Sequence, residues 1–248
     1  MPDIALGIDL AAGRGITAIA TLAFEPKSSG LPCWLTDISS SAADDVALLA
    51  CAAEAQRHGR LRVISIDAPL TLPAAVTAAL GGALPTPGAS PYTRAAERDP
   101  FWRTLGIRPL PVSFLGGLTF RALTLLPRLR GLAPDAAIIE VFPSATFAVL
   151  RAREQQTGVA PTADTSAQAK RQRKAKTTPA SRAVNQVLLA RWIADIPASG
   201  DGETIQPLGA DLLDALAAAL TGVGYARGAY HAVGNEAEGQ IIVPAEDG

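Results

Sequence analysis

The chain has 248 residues, enough for one large or two small domains with a substantial buried core. Hydrophobic residues make up 48% and charged residues 18%, which excludes a mostly disordered chain, and no run of about 18 apolar residues occurs that could span a membrane. Net charge is −1, yet 16 Lys/Arg and only 6 Asp/Glu fall between Arg94 and Arg191, so a middle of +10 stands against a remainder of −11.

A basic middle beside acidic clusters suits a protein that guides a polyanion towards carboxylate-bound metal; a solvated basic surface is the plainer alternative. The opening "MPDIALGIDL" carries Asp3 and no basic residue, unlike the charged start of a secretory signal. Cys33 and Cys51 are too few for a disulfide framework and lack zinc-site spacing, so they read as small buried apolar residues. A reducing cytoplasm is the expected compartment.

In chain order, "DIALGIDLA" (3–11) reads as a strand and "AGRG" (12–15) as its turn. "ITAIATLAF" (16–24) follows as the second arm of a hairpin, with a third strand at "CWLTDI" (33–38). "SAADDVALLACAAEAQRHG" (41–59) has a helix's signals: Ser at its start, Asp44 and Asp45 in the first turn, and Gly59 as the stop. "RLRVISIDAPL" (60–70) is a uniformly apolar strand that ends in Asp67 and Pro69, as a buried central strand would. Residues 71–90 are rich in Pro, Gly, Ala and Thr and read as a loop.

A helix is expected over 90–106, with Ser90 as cap and Pro91 at its first position, and another near 117–131. "AAIIEVFPSATF" (136–147) is a buried strand broken by Pro143 that continues into a helix. The polar stretch 155–178, with "KRQRKAK" at 170–176, reads as a flexible basic insertion. Helices at 179–196 and 209–226 and a closing strand at 237–244 complete the chain. Antiparallel strands come first and parallel ones later, which is an α/β layered sheet with helices on its faces.

Carboxylates stand out against this apolar frame. Asp9 lies in the first strand, Asp67 ends the central strand, and Glu140 lies at the end of another. Asp211 and Asp214 occur in a helix otherwise built largely of Leu and Ala. Strand ends gather at one edge of an α/β sheet, where ligands bind, and helix positions i and i+3 lie about 60° apart, so both helical acids can face that edge. Converging carboxylates repel unless a divalent cation joins them, and Mg2+ or Mn2+ prefers such oxygen ligands. Each acid also has a local alternative: a turn former for Asp9 and Asp67, an arginine partner for Glu140, a helix cap for Asp211. His58 and His231 are isolated and are assigned no chemistry.

The ordered set "GIDLA" (7–11), "IDAPLTLP" (66–73), "YTRAAE" (92–97), "EVFPSATF" (140–147), "DLLDALAAALTG" (211–222) and "EGQIIVP" (238–244) resembles domain-of-unknown-function family 429, a family of predicted nucleases. The resemblance covers nearly the whole chain, departing from the family at the long basic stretch 155–178 and around "PVSFLGG" (111–117). It implies a single ribonuclease H-like domain over 1–248, with a mixed sheet that opens on an antiparallel hairpin. It also implies phosphodiester hydrolysis by a two-metal mechanism with Mg2+ or Mn2+. Asp9 would bridge the ions and Asp67 and Asp214 would complete their shells. Asp211 or Glu140 would hold metal, orient water or move a proton. Arg94 would neutralise a phosphate, or else pair with Glu97 or Glu140. Lys174 and Lys176, in the basic run, would hold a nucleic-acid backbone, DNA or RNA, without sequence preference.

Two rivals use the same residues differently. "GIDLAAGRG" also resembles the phosphate-binding hairpin of actin-like ATP-handling phosphotransferases, although the second phosphate loop of that fold has no match and the central strand ends in "DAPL". A non-catalytic nucleic-acid or partner-binding module would use the basic middle and leave the acids to structure.

Overall fold

The computed structural model describes residues 1–13, 15–25, 33–42, 44–156, 178–196 and 207–245. Its strands are β1 (Asp3–Asp9), β2 (Ile16–Phe24), β3 (Cys33–Ala42), β4 (Arg60–Ile66), β5 (Ala137–Val141), β6 (Ile193–Ala194), β7 (Tyr230–Asn235) and β8 (Gly239–Pro244). The helices are α1 (Asp45–His58), α2 (Ala74–Leu80), α3 (Ala95–Arg98), α4 (Phe101–Thr104), α5 (Gly116–Leu132), α6 (Pro143–Gln156), α7 (Pro179–Ala190) and α8 (Ala210–Ala226), with a 3-10 turn at Val112–Leu115. The described strands form one mixed sheet in the order β6-β3-β2-β1-β4-β5-β8-β7.

The β1–β2–β3 meander is antiparallel, β1–β4, β4–β5 and β5–β8 are parallel, and β7 returns antiparallel on β8. The chain is therefore an α/β protein, as its element pattern implies. Among the described residues no helix is long and apolar enough to cross a membrane.

The two faces of the sheet differ in side-chain size. Ile4, Leu6 and Ile8 of β1 point to one face and pack with Leu48 of α1 and Leu125 of α5. Ala5 of β1 and Ala18 and Ala20 of β2 point to the other, where they meet Ala215, Leu216 and Ala219 of α8. Small residues on both partners let this helix lie close to the sheet. At Gly7 the fit is extreme, because a Cβ there would lie 2.2 Å from the Ala215 carbonyl oxygen and 2.3 Å from the Ala219 nitrogen. Gly222 stands over Ser65 of β4 in the same way, with 2.4 Å from its would-be Cβ to Ser65 Oγ.

Several boundaries differ from the sequence expectation for identifiable reasons. Residues 39–42 continue β3 instead of starting a helix, since Ile19, Ala18 and Thr17 of β2 pair with Ser39, Ser40 and Ser41. Helix α1 begins only at Asp45, with the Asp44 side chain accepting the Val46 amide at 2.8 Å. The expected helix 90–106 is two short helices, because the cap of the first, Asp99, is extended and is followed by Pro100. Ser90 is a turn former, its hydroxyl accepting from the Tyr92 and Thr93 amides. A short helix, α2, occupies part of the expected loop 71–90. The expected helix 179–196 stops at Ala190, after which Ile193–Ala194 pairs with β3. Strand β7 lacked a clear pattern in the sequence, as it is an exposed edge strand built from Tyr, His, Ala, Val, Gly and Asn. Most of the polar stretch 155–178, with Lys174 and Lys176, lies outside the described residues.

Candidate active site

Strand register fixes the first two acids. β1 and β4 are parallel neighbours with Ile8 opposite Ile66, and the Asp67 amide donates to the Ile8 carbonyl at 2.9 Å. Asp9 and Asp67 therefore emerge side by side at the carboxyl edge of the two central strands. Asp9 is paired with Ala18 and stands two residues beyond Gly7, so strand alternation sets it on the small-residue face, under α8.

The same packing fixes the helical acids. The would-be Cβ of Gly222 lies 3.5 Å from Ala5 Cβ, whereas Gly7 faces Ala215 and Ala219, so α8 runs antiparallel to β1. Two further strand residues advance about 7 Å, equivalent to about four to five helical residues. Continued along ideal geometry, that step leads from the Ala215–Ala219 pair towards the turn that holds Asp211 and Asp214. Gly209 rather than Asp211 is the helix cap; Asp211 stands in the first turn, where unpaired amides favour a carboxylate. Asp9, Asp67, Asp211 and Asp214 are all half-buried.

Asp9 and Asp67 thus stand at the carboxyl edge of β1 and β4, while Asp211 and Asp214 lie in the first turns of α8. Their oxygen donors have the chemistry of a hard divalent-cation site. Among the described residues, however, no group of three or more His, Cys, Asp or Glu is gathered closely enough to hold a metal ion.

Glu140 and Arg94 line the same cavity as Asp9 and Asp67 but are held in a buried ion-pair network. Glu140 is level with Ile66 and Ile241, and alternation turns it to the face opposite Asp9. There it receives Arg94, with Nη1 donating to Oε2 at 2.7 Å and Nη2 to Oε1 at 2.6 Å, and the Leu70 amide donates to Oε2 at 2.9 Å. Arg94 also donates from Nε and Nη2 to Glu97 and from Nη1 to Thr71 Oγ1. All of its N–H donors are thereby committed, and only 1% of its surface is exposed. Arg94 accordingly takes the ion-pairing alternative, and presents no donor to a phosphate. Burial opposes its charge, but the hydrogen bonds and charges of Glu140 and then Glu97 outweigh that effect and push its pKa up. Burial pushes the Glu140 carboxyl up, against the pull of Arg94.

Two supporting residues had no role assigned from the sequence. Glu238 accepts the first amides of two helices, Ala74 at 2.9 Å and Ala95 at 2.7 Å, and so ties the 71–95 segment to the β7–β8 turn. Its only signal was an acid placed directly before an apolar strand. Arg121 donates to Asp45 of α1 at 2.8 and 2.9 Å, to the Ala11 carbonyl at 2.7 Å and to Thr17 Oγ1 at 3.0 Å. It pins the backbone two residues beyond Asp9. Its signal was an arginine beside the apolar stripe Leu118–Ala122–Leu125.

A cavity of about 190 Å3 is lined by Asp9, Asp67, Arg94 and Glu140 together with Leu110, Leu115 and Leu118, and not by Asp211 or Asp214. A larger one, about 290 Å3, lies by Tyr225, Tyr230 and Arg130 and holds none of the four aspartates. No family model matches the chain, and no curated protein or solved structure matches it.

Proposed function

We propose that the protein is a metal-dependent nuclease of ribonuclease H-like fold that hydrolyses phosphodiester bonds with Mg2+ or Mn2+. The observation that carries this reading is that Asp9 and Asp67 stand at the ends of adjacent parallel strands; Asp211 and Asp214, in the first turns of the helix that packs on β1, complete the proposed set. The antiparallel hairpin opening onto parallel strands fits the proposed fold.

The four aspartates are the residues that would hold the cation. When bound, such an ion supplies an activated water and charge stabilisation at the leaving oxygen. The chain's own part is to fix the carboxylates: Gly7 seats α8 against β1, and Arg121 anchors the turn after Asp9. Arg94 and Glu140 brace the neighbouring loop. The basic surplus of the chain's middle, with Lys174 and Lys176, supports nucleic acid as the polyanion.

A second reading, a non-catalytic nucleic-acid-binding module, draws on the finding that no three acidic groups among the described residues are close enough to hold a metal. One experiment separates the two. The unaltered chain and Asp9→Asn are incubated with single-stranded and duplex DNA and RNA and a branched junction, with Mn2+ or with chelator. Cleavage that needs Mn2+ and falls at least about 100-fold in the variant supports the nuclease. Binding that ignores both chelator and substitution, with no cleavage, supports the module.

A further inference from the structure

The sheet is open between two of its inner strands. β5 pairs with β4 from Ala137 to Glu140, but with β8 only at Glu140–Ile241 and Val141–Ile242. Among the described residues Ile138 and Ile139 therefore have no strand partner on the β8 side, where the same register would set Gly239 and Gln240. The cavity of about 290 Å3 lies at this opening, lined by Ile138 and Ile139 from one strand and Gly239 and Gln240 from the other. Ile138 packs on the α5 side of the sheet and Ile139 with Ala218 of α8, so the cavity is walled from both faces.

The lining holds one acid and one base. Glu140 is the acid, and both of its oxygens are taken: Arg94 donates to each and the Leu70 amide to one. Arg130, near the end of α5, is the base. It is exposed, and among the described residues it has no hydrogen-bond or ion-pair partner. Arg130 is thus the charged group left for an occupant, and its planar guanidinium takes a carboxylate or phosphate through paired N–H donors. Apolar and aromatic side chains stand beside it. Leu126 lies one turn earlier on α5, and the rings of Tyr225 and Tyr230 are 4.7 Å apart. The volume is at the small end of ligand pockets.

We propose that this cavity is a binding site for a small organic anion, with its carboxylate or phosphate on Arg130 and its apolar or aromatic body in the opening between β5 and β8. None of the four aspartates lines it, so the inference stands apart from the nuclease reading.

The test is calorimetric titration of the full chain, in chelator, with benzoate, phenyl phosphate, benzamide and inorganic phosphate. Benzoate, phenyl phosphate or both should bind saturably at one site per chain, and the one that binds more tightly identifies the head group. Benzamide keeps the ring without the charge, and inorganic phosphate keeps a charge without the ring. Each should bind at least about 10-fold more weakly than the better ring anion. Arg130→Ala should lower affinity for that anion at least about 10-fold and Arg130→Lys by less, because the lysine keeps the charge without the fork. Tyr230→Ala should lower it at least about 3-fold. Both side chains are exposed, and circular dichroism confirms that each variant is folded. No binding of either ring anion, binding of benzamide or inorganic phosphate as tight as theirs, or alanine variants that bind as the unaltered chain does, would each overturn the proposal.

Discussion

Arg94 was legible as a residue with chemistry but not as the residue it is. Its spacing to Glu97 and the presence of Glu140 left both phosphate binding and ion pairing open, and only the three-dimensional contacts decide between them. Truncating it to alanine would leave two buried carboxylates uncompensated, and breaking a buried pair in this way costs about 3–5 kcal/mol. Urea denaturation of Arg94→Ala should show a loss of that size; a loss under about 1 kcal/mol would contradict the buried network. Glu140 carries a lesson of parity: Ile139 and Val141 pack towards α8, so the acid between them turns to the other face of the sheet, where Arg94 meets it. Counting strand alternation from those neighbours would have found this, once the facing helix was known. Cys33 fits the reading of a buried apolar residue. It is fully buried, its thiol donates to the Trp192 carbonyl at 3.1 Å, and burial pushes it up to about 11, with Arg227 pulling weakly the other way. A raised acid pKa favours the folded state fully below the unfolded value of 9.0, and that contribution is lost as pH rises through about 11. At pH 8 a thiol reagent should therefore leave Cys33 unmodified until denaturant is added, and stability should decline from about pH 9 upward. Rapid labelling of Cys33 in the native protein would contradict its placement between β3 and α7.

At the scale of elements, the strands and helices with strong periodic or continuous apolar patterns were readable: β1, β2, β4, β5, α5, α8 and β8. Elements decided by partners were not. The serines of β3 have weak strand preference and are held by pairing with β2, while β7 exists because β8 offers it an edge. The close seat of α8 on β1 was also hidden, because a glycine in a strand does not announce which helix lies over it. Gly7→Ala tests that seat. Its methyl would collide with the backbone of Ala215 and Ala219, which cannot move without shifting the helix, so a loss of about 3 kcal/mol in stability is expected. Surviving folded protein should bind Mn2+ more weakly, because Asp211 and Asp214 ride on the displaced helix. Unchanged stability in calorimetry would mean that α8 does not approach β1 as described.

For the whole molecule, the site was legible as a list of acids and illegible as a geometry. Asp9, Asp67, Asp211 and Asp214 could be picked out since a carboxylate on an apolar element is costly without a partner. Their meeting, as proposed, would depend on the parallel register of β1 and β4 and on the antiparallel passage of α8, neither of which is written in local sequence. The supporting pair, Glu238 and Arg121, escaped notice because each acts on backbone groups far along the chain. The most direct test of a shared cation site is a calorimetric titration of the folded chain with Mn2+, repeated on Asp9→Asn, Asp67→Asn and Asp214→Asn after each is confirmed folded by circular dichroism. Saturable binding by the unaltered chain, lost or weakened at least about 10-fold in every one of the three variants, is the expected result. Absence of Mn2+ binding, or binding that persists undiminished when Asp9 is replaced, would contradict it.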